Sequence, residues 1–185
     1  MQKQFLIALF LTATMLYPTI GKSQTLFWRG DGWLVAVQGS NQSQSCVLET
    51  SDTFENGEVL RSFVEVTDGN AIYLHFHNSE WNFANQNLNN LWVGFLNLEG
   101  DEAQIIKLDE GRIGGTSWNV TDPQTISVAV PGVFLDVFVN QKLLILFRDH
   151  GSSKDISTLG IASLEGGAEG VANLQRCSAA LSADD

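Results

Sequence analysis

The stretch from Leu159 to Cys177, LGIASLEGGAEGVANLQRC, decides how this chain is closed. It begins with apolar residues typical of a β-strand, passes through Ser163, a favourable helix N-cap, and then shows the apolar spacing of an amphipathic helix. It ends on Cys177, one of two cysteines in the chain. A bond to the other cysteine, Cys46, would tie a C-terminal helix to the first strands and enclose nearly the whole domain.

The predicted closing helix has two unlike sides. At about 100° per residue, the apolar side is formed by Ala168, Val171, Ala172 and Leu174. The opposite side is formed by Glu165, Glu169, Asn173 and Arg176. We expect the apolar side to cover the β core. Because Gly166, Gly167 and Gly170 weaken the helix, packing and the disulfide must stabilise it. After Cys177 the residues are small and polar, so we expect a frayed end, with 182–185 as a tail.

The N-terminus has the pattern of a secretory signal peptide, residues 1–23. Lys3 precedes an apolar run from Phe5 to Tyr17, and small residues follow, with cleavage expected after Ser23. A membrane anchor is the alternative, but the run is shorter than the ~20 apolar residues that a spanning helix needs. We therefore expect a periplasmic or secreted protein without a membrane span. In that oxidising compartment two cysteines favour a disulfide, worth roughly 4 to 5 kcal/mol in the chain-entropy model.

The exported chain is strongly acidic. Lys3 and Lys22 leave with the signal peptide, so 8 basic residues remain against 21 acidic ones, a formal charge of −13. Such a surface repels phosphate backbones and anionic lipids, which argues against nucleic acid as a partner. The charge is spread through turns, which is typical of a solvated surface, with a cationic partner as the alternative. The remaining length suits one domain, residues 24–181.

Short apolar segments separated by Gly, Asn, Asp and Ser clusters predict a mainly β, single-domain antiparallel β-sandwich. The candidate strands are Trp33 to Gln38, Cys46 to Glu49, Val59 to Thr67, Ala71 to His77, Leu91 to Leu98, Ala103 to Leu108, Thr116 to Val120, Thr125 to Val130, Leu143 to Arg148 and Asp155 to Ile161.

Local patterns refine this outline. The turn between Thr67 and Ala71 predicts a hairpin, and an acidic turn after Leu98 predicts a second. In the runs LWVGFLNL and LLILF, the residues that point to either face of the strand are mostly apolar, so we expect these strands at the centre of a sheet. From Thr125 to Val130 large apolar residues alternate with small or polar ones, which predicts a strand with one solvent-exposed face. Gly132 to Asn140 fits a short helix or a strand, and we favour the helix.

Two histidines are the first candidate site. His75 and His77 stand two apart on a predicted strand, so their imidazoles project from the same face. A metal site would need a third ligand, and His150 is the other histidine. The alternative is two solvent-facing side chains opposite a core face. We assign no metal and no cofactor.

Other candidates are an acidic turn and the tryptophans. Oxygen ligands at Asn97, Glu99, Asp101 and Glu102 suggest calcium, but without ordered spacing a solvated hairpin is favoured. Three tryptophans in apolar strand patterns are expected in the core, Trp33, Trp92 and Trp118. Trp28 and Trp81 border polar loops and are candidates for a ligand platform, such as one that stacks a sugar.

No local pattern indicates catalysis. The chain has no G-x-S-x-G, no H-E-x-x-H and no cysteine within a catalytic signature, so we assign no catalytic residues and expect that it is not an enzyme. Asn41 and Asn119 lie in sequons for glycosylation, which are short enough to occur by chance.

Four segments together resemble the invasion-associated locus B family of small exported proteobacterial proteins. They are GDGWLVAV, SCVLE, IYLHFHNSEW and LGIASLEGGAEGVANLQRC. The resemblance is carried by Trp33, Cys46, Leu164, Leu174 and Cys177. It departs at Ala36 and Val37, where members often have a further cysteine. It implies a β-sandwich associated with the envelope or with host-cell interaction, with no catalytic residues to carry over.

Three functions follow as hypotheses. The leading one is an exported, non-catalytic protein that acts through surface contacts with an unknown protein or envelope partner. The runner-up is an acidic inhibitor of a cationic secreted hydrolase such as a lysozyme. The third is a periplasmic hydrolase with a polar cleft at His75 or His150.

Overall fold

A computed structural model of the protein describes residues 24–40, 43–53, 59–67, 70–84, 86, 88–99, 102–107, 118–149 and 156–183. Several predictions from the sequence therefore lie outside the described residues: the signal peptide 1–23, the tip of the first hairpin at 68–69, His150 and the sequon residue Asn41.

The described residues form strands and two helices in the order β1 (Gln24–Gly30), β2 (Trp33–Ser40), β3 (Ser43–Thr53), β4 (Val59–Thr67), β5 (Ile72–His77), β6 (Leu91–Glu99), β7 (Glu102–Lys107), β8 (Trp118–Asp122), β9 (Thr125–Val130), α1 (Val133–Phe138), β10 (Leu143–Asp149), β11 (Ile156–Ser163) and α2 (Gly167–Ala183). All ten predicted strands are present. The short helix predicted after Pro131 is confirmed as α1, and the closing helix as α2.

The strands form two antiparallel sheets. The larger has seven strands in the order β1-β2-β3-β4-β5-β9-β8, and the smaller has four in the order β11-β10-β6-β7. The predicted hairpins pair β4 with β5 and β6 with β7. LWVGFLNL and LLILF lie in β6 and β10, the two central strands of the smaller sheet, as their apolar runs predict.

The first strand, β1, was not predicted from the sequence. β1 pairs with β2 at the edge of the larger sheet, and its register shifts between Leu26 and Trp28. Such a bulge inserts an extra residue and interrupts the alternation by which strands are read from sequence. Leu26 and Phe27 are consequently exposed on this edge.

The two sheets pack face to face around one apolar core. Phe76 and Leu74 of the larger sheet and Phe95 and Leu144 of the smaller one are fully buried in the same cluster. Gly160 of β11 lies so close to Leu60 that a Cβ atom would come within 2.7 Å of Cδ2. The indole nitrogen of Trp118 donates to the carbonyl of Leu91 at 2.9 Å, which links β8 to β6. The predicted antiparallel β-sandwich is therefore confirmed.

The helix α2 covers β1, β2 and β3, the part of the larger sheet beside β11. A Cβ atom at Gly170 would lie 2.7 Å from Cδ1 of Leu48, so the helix backbone approaches the sheet closely. The disulfide joins Cys46 to Cys177, with Cα atoms 6.0 Å apart across a sequence separation of 131 residues. Trp33 donates from its indole nitrogen to the Glu165 carbonyl at 2.7 Å. The C-terminal helix tied by a disulfide is confirmed.

The helical wheel was only partly right. Val171 and Leu174 are buried as predicted, but Ala168 and Ala172 are exposed. The buried stripe contains the residues Gly167, Gly170, Val171, Asn173, Leu174 and Cys177. Glycines form part of this stripe because the close contact with the sheet leaves no room for side chains there. The glycines predicted to weaken the helix thus allow it to dock.

Both ends of the helix also differ from expectation. Ser163 is the last residue of β11, and its hydroxyl accepts from the Glu165 N–H at 3.3 Å, so it caps the turn before α2 and not the helix itself. At the other end the helix continues to Ala183, beyond the fraying expected after Cys177, and it includes Ser182 of the predicted tail. Leu181 packs against the core, which stabilises these last turns.

Two burial predictions were also wrong. Trp92, expected in the core, is half-buried, whereas Trp33 and Trp118 are buried as predicted. The face of β9 that carries Thr125 and Ser127 was expected to be exposed to solvent, yet both residues are buried. Bulky side chains of the neighbouring strand β5 cover these small hydroxyl residues, since His77 and His75 stand opposite them.

Candidate functional site

The outer face of the larger sheet carries a row of aromatic and charged side chains. We call it the histidine face and define it by Glu49 of β3, Arg61, Phe63 and Glu65 of β4, and Tyr73, His75 and His77 of β5. These side chains share one face because alternate residues of a strand point the same way, opposite the core residues Leu74 and Phe76.

Strand pairing brings these residues together across three strands. Phe63 stands between Glu49 on one side and His75 on the other. Glu65 is opposite Tyr73, and Arg61 is opposite His77. Side chains directly opposite each other in an antiparallel pair are about 5 Å apart at Cβ, so the seven groups interact as one cluster.

His75 is the centre of the histidine face. Its ring stacks on Phe63 with centroids 4.6 Å apart and planes 9° apart, and Tyr73 lies 6.3 Å away. The side chain is only 10% exposed. Its Nε2 atom is 3.2 Å from Oε2 of Glu65, near enough for an ion pair if the imidazole is protonated, but the two atoms do not have hydrogen-bond geometry. Nε2 thus has no hydrogen-bond partner among the described residues.

Arg61 and Glu49 form an ion pair beside this centre. The Arg61 Nη2 and Nε atoms lie 2.5 Å and 2.7 Å from the same Glu49 oxygen, Oε1. The two side chains are 27% and 12% exposed, so water screens the pair only in part. The pair neutralises one carboxylate of the face and holds the stem of Arg61 across β3 and β4.

His77 stands at the end of the face near β9. Its Nδ1 atom is 2.9 Å from the Thr125 hydroxyl. Burial lowers the pKa of His77 and the Arg61 guanidinium lowers it further, while Asp122 and Glu49 act in the opposite direction. Because the pKa lies below the ordinary histidine value near 6.5, His77 is neutral at pH 7.

His75 and His77 therefore lie on the same face of the sheet, as predicted, but each contacts a different residue. His75 packs on Phe63, and His77 bonds to Thr125. Among the described residues, no three His, Cys, Asp or Glu side chains are grouped so that they could hold a metal ion. The acidic turn at Asn97, Glu99, Asp101 and Glu102 lies outside the side chains that the structure describes.

The two candidate platform tryptophans are separated. Trp28 lies on the edge strand β1, whereas Trp81 follows β5, with β2, β3 and β4 between them. Both are half-buried against the core. Trp81 packs edge-on against Phe83, with ring centroids 5.1 Å apart. The two indoles therefore do not form one shared platform.

A cavity of about 310 Å³ lies between α1, the hairpin of β4 and β5, and the last turns of α2. Its wall combines apolar and neutral polar side chains: Val66, Asn70, Ile72, Leu135, Gln175, Ser178, Ala179 and Ser182. None of these is ionisable, so the cavity offers packing and hydrogen bonds but no acid, base or fixed charge.

Sequence reasoning missed most of the histidine face. It found His75 and His77 from their spacing but not Phe63, Glu65 or Tyr73, which become their neighbours only through strand pairing. A signal was present, since RSFVEVT and IYLHFH both alternate and the turn between them predicts a hairpin. Pairing the two strands so that Phe63 and Glu65 lie on the same face as Tyr73 and His75 would have predicted the cluster.

The fold and the site together define a disulfide-tied antiparallel β-sandwich with an open outer sheet face. Within the part of the chain described, neither helix is both long and apolar enough to pass through a membrane. No known family model matches the sequence, and no curated protein matches it. The fold, however, is similar to the crystal structure of invasion associated protein B from Bartonella henselae.

That similarity has a TM-score of 0.50 at 9% sequence identity and covers 81% of this chain and 96% of the other. It confirms the resemblance predicted from the sequence at the level of the fold. Two of the residues that carry the sequence resemblance hold the closing helix, since Trp33 contacts the turn before α2 and Cys46 anchors the helix through the disulfide.

Proposed function

We propose that this protein is an exported, non-catalytic binding protein that contacts an envelope or host partner through the histidine face. Two findings support export to the periplasm or beyond. A disulfide is expected to persist in an oxidising compartment, and the fold is similar to a protein whose name associates it with invasion.

The observation that carries the proposal is the composition of the outer sheet face. Protein interfaces are enriched in aromatic residues and arginine, and this face presents Phe63, Tyr73 and Arg61 along the β4–β5 pair. All three are half-buried, so they are already held in place by their neighbours while still reaching solvent. Binding therefore costs little side-chain entropy.

Binding to cells or envelopes tests this role. Labelled protein, purified from the periplasm of a bacterial host, should bind isolated envelopes or host cells saturably. Tyr73→Ala removes an aromatic contact and should weaken binding about thirtyfold, the effect of a hot-spot residue that contributes about 2 kcal/mol. The matched control is Val133→Ala, which truncates a side chain 58% exposed on α1 and should bind normally. Equal binding by both variants would exclude the histidine face as the contact surface.

The non-catalytic part of the proposal needs its own measurement. Purified protein incubated with cell-wall fragments and with ester substrates should release no product above a heat-treated sample. Reproducible turnover that His75→Phe abolishes would instead support the hydrolase hypothesis.

A further inference from the structure

We infer that the cavity between α1, the β4–β5 hairpin and the last turns of α2 binds a small uncharged amphipathic molecule, with a short alkyl or acyl chain and an amide or hydroxyl head. Val66 and Ile72 pair across the hairpin and both line the cavity. Ile72 precedes Tyr73 in β5, so the two side chains point to opposite faces of the sheet. The cavity is therefore separate from the histidine face, and its ligand goes beyond the proposed function.

The cavity is built from elements that are already held in place. In the hairpin turn, the Asn70 N–H donates to the Thr67 carbonyl at 2.9 Å and the Thr67 N–H donates to the Ala71 carbonyl at 3.0 Å. Helix α1 is anchored by Phe134 and Phe138, which are fully buried. The disulfide ties α2 to the sheet just before the helix reaches the cavity. A preformed cavity lets a ligand bind with little loss of conformational entropy.

The floor of the cavity is apolar. Val66 of β4 and Leu135 of α1 are buried, and Ile72 of β5 is half-buried. On the α2 side, Ser178 and Ala179 have small side chains, so the space between the elements stays open. Its volume of about 310 Å³ lies at the lower end of the range for small-molecule pockets, which suits a single short chain. Each methylene of that chain buried on the floor adds to the affinity.

The mouth of the cavity carries neutral polar groups. Asn70, Gln175 and Ser182 line the cavity and are exposed to solvent. The amide side chains of Asn70 and Gln175 can each donate and accept hydrogen bonds. The Ser182 hydroxyl donates to the Ser178 carbonyl at 3.1 Å, and its oxygen can still accept. A head group with both donors and acceptors, such as an amide or a hydroxyl, therefore fits this mouth.

Charge is what the cavity selects against. No ionisable side chain lines it, so a charged head would lose water there without gaining an opposite charge. A carboxylate meets two further obstacles. The chain is strongly acidic overall, and the negative end of the α2 dipole lies in the turn that carries Ser182. The cavity should therefore prefer an uncharged ligand to an anionic one with the same chain.

Two probes of matched shape test this preference by nuclear magnetic resonance. Octanamide and octanoate have the same alkyl chain and differ in the charge of the head. Octanamide should shift the amide resonances of Asn70, α1 and the last turns of α2, with a dissociation constant on the order of 1 mM for its size. Octanoate should bind roughly tenfold more weakly. Butanamide keeps the head but lacks four methylenes, and it should also bind at least roughly tenfold more weakly.

Neighbouring alanines of α2 supply a matched pair of variants. Ala179 lines the cavity, whereas Ala180 is exposed and does not. Ala179→Phe fills the cavity and should abolish the octanamide shifts, and Ala180→Phe should bind octanamide like the unaltered protein. Ser182→Phe fills the cavity from a second position and should also abolish the shifts. Unchanged resonances of β4 and β5 on the histidine face show in each case that the variant is folded.

A lysine at the mouth should reverse the preference for an uncharged head. Gln175→Lys places a cation beside the cavity and should bind octanoate at least as tightly as octanamide. Ala180→Lys adds the same charge to the same helix outside the cavity wall, and it should still prefer octanamide.

Shifts centred on the exposed Leu26 and Phe27 of β1, or scattered over the surface, would show non-specific apolar binding and overturn the inference. Equal binding by Ala179→Phe and Ala180→Phe would place the ligand elsewhere, with the same consequence. Equal affinity of the unaltered protein for octanamide and octanoate would contradict the selection for an uncharged head. None of these results depends on envelope binding through Tyr73, so the proposed function stands or falls separately.

Discussion

The two faces of the seven-stranded sheet differ in how their side chains are held. On the inner face, Leu48 and Cys46 of β3 are fully buried; the backbone of α2 at Gly170 packs closely on Leu48, and the disulfide joins Cys46 to the helix. On the outer face of the neighbouring strand β4, Phe63 and Glu65 lie beside His75 and remain half-exposed. The same strands thus supply a closed face and an open one.

This difference separates stability from recognition. The inner face is stabilised by close apolar packing and a covalent bond, so changes there should reduce the free energy of unfolding. The outer face is stabilised by the stacking of His75 on Phe63 and by the Arg61–Glu49 ion pair, so changes there should alter binding more than stability. Each of the following predictions tests whether stability and binding separate between the two faces in this way.

The largest effect is expected from the disulfide. Replacing both cysteines, Cys46→Ala with Cys177→Ala, should lower the free energy of unfolding by roughly 5 kcal/mol, because the bond closes a loop of more than a hundred residues in the unfolded chain. Urea unfolding followed by tryptophan fluorescence measures this. The outer-face variant Tyr73→Ala should cost far less, and an unchanged midpoint in the double cysteine variant would contradict the role of the bond.

The contact between α2 and β3 comes next. Gly170→Val places a branched side chain where even a Cβ atom lies 2.7 Å from Leu48, and overpacking of this kind costs about 1 to 3 kcal/mol. Ala168→Val introduces the same side chain on the exposed side of the helix and should cost less than 1 kcal/mol through helix propensity. Thermal melting of the two variants compares them. Equal melting temperatures would show that the helix does not dock through Gly170.

A smaller effect is expected where the two sheets meet at Asp52. Both of its carboxylate oxygens lie 3.3 Å from the Ser163 backbone nitrogen, and burial raises the pKa of Asp52 although that N–H opposes the shift. A raised pKa means that the folded state binds the proton more tightly, so this group favours folding at acid pH and costs stability as pH rises. Asp52→Asn keeps an acceptor and should stabilise the protein at pH 7, with the gain vanishing toward pH 3. A gain independent of pH would show that charge is not the cause.

The smallest effect on stability is expected on the outer face at His77. Its pKa is lowered, mainly by burial, so the unfolded state takes up this proton first as the pH falls. The contribution of His77 is complete above about pH 6.5 and is lost as the pH drops through its lower folded value. His77→Gln can still bond to Thr125 and should flatten the stability profile between pH 6.5 and pH 5. Parallel profiles for the two proteins would rule out this coupling.

The inner face could be predicted from the sequence because its determinants are local. Alternating apolar residues identify β4, β5 and β9, and a pair of cysteines in a chain with a predicted signal peptide suggests the bond. The prediction failed where long-range contacts decide the outcome. The wheel could not show that Gly167 and Gly170 face the sheet, and the polar end of α2 remains helical because Leu181 meets the core.

The outer face was less predictable because its partners come from different strands. Spacing alone places His75 and His77 on one side, but stacking on Phe63 and proximity to Glu65 depend on the register between β4 and β5. A shift of one residue in that register would move these side chains to the other face. Register is fixed by the complete hairpin and by the core that it covers.

Hydrogen–deuterium exchange of the oxidised and reduced protein tests most directly whether the two faces are separable. In the reduced protein the amides of α2 should exchange before those of β4, β5 and β9, because the Cys46–Cys177 bond ties α2 to β3, and without it the helix can open locally whereas these strands open only with the whole domain. Unchanged protection of α2 after reduction, or equal exchange rates for α2 and β5 in the reduced protein, would contradict this account.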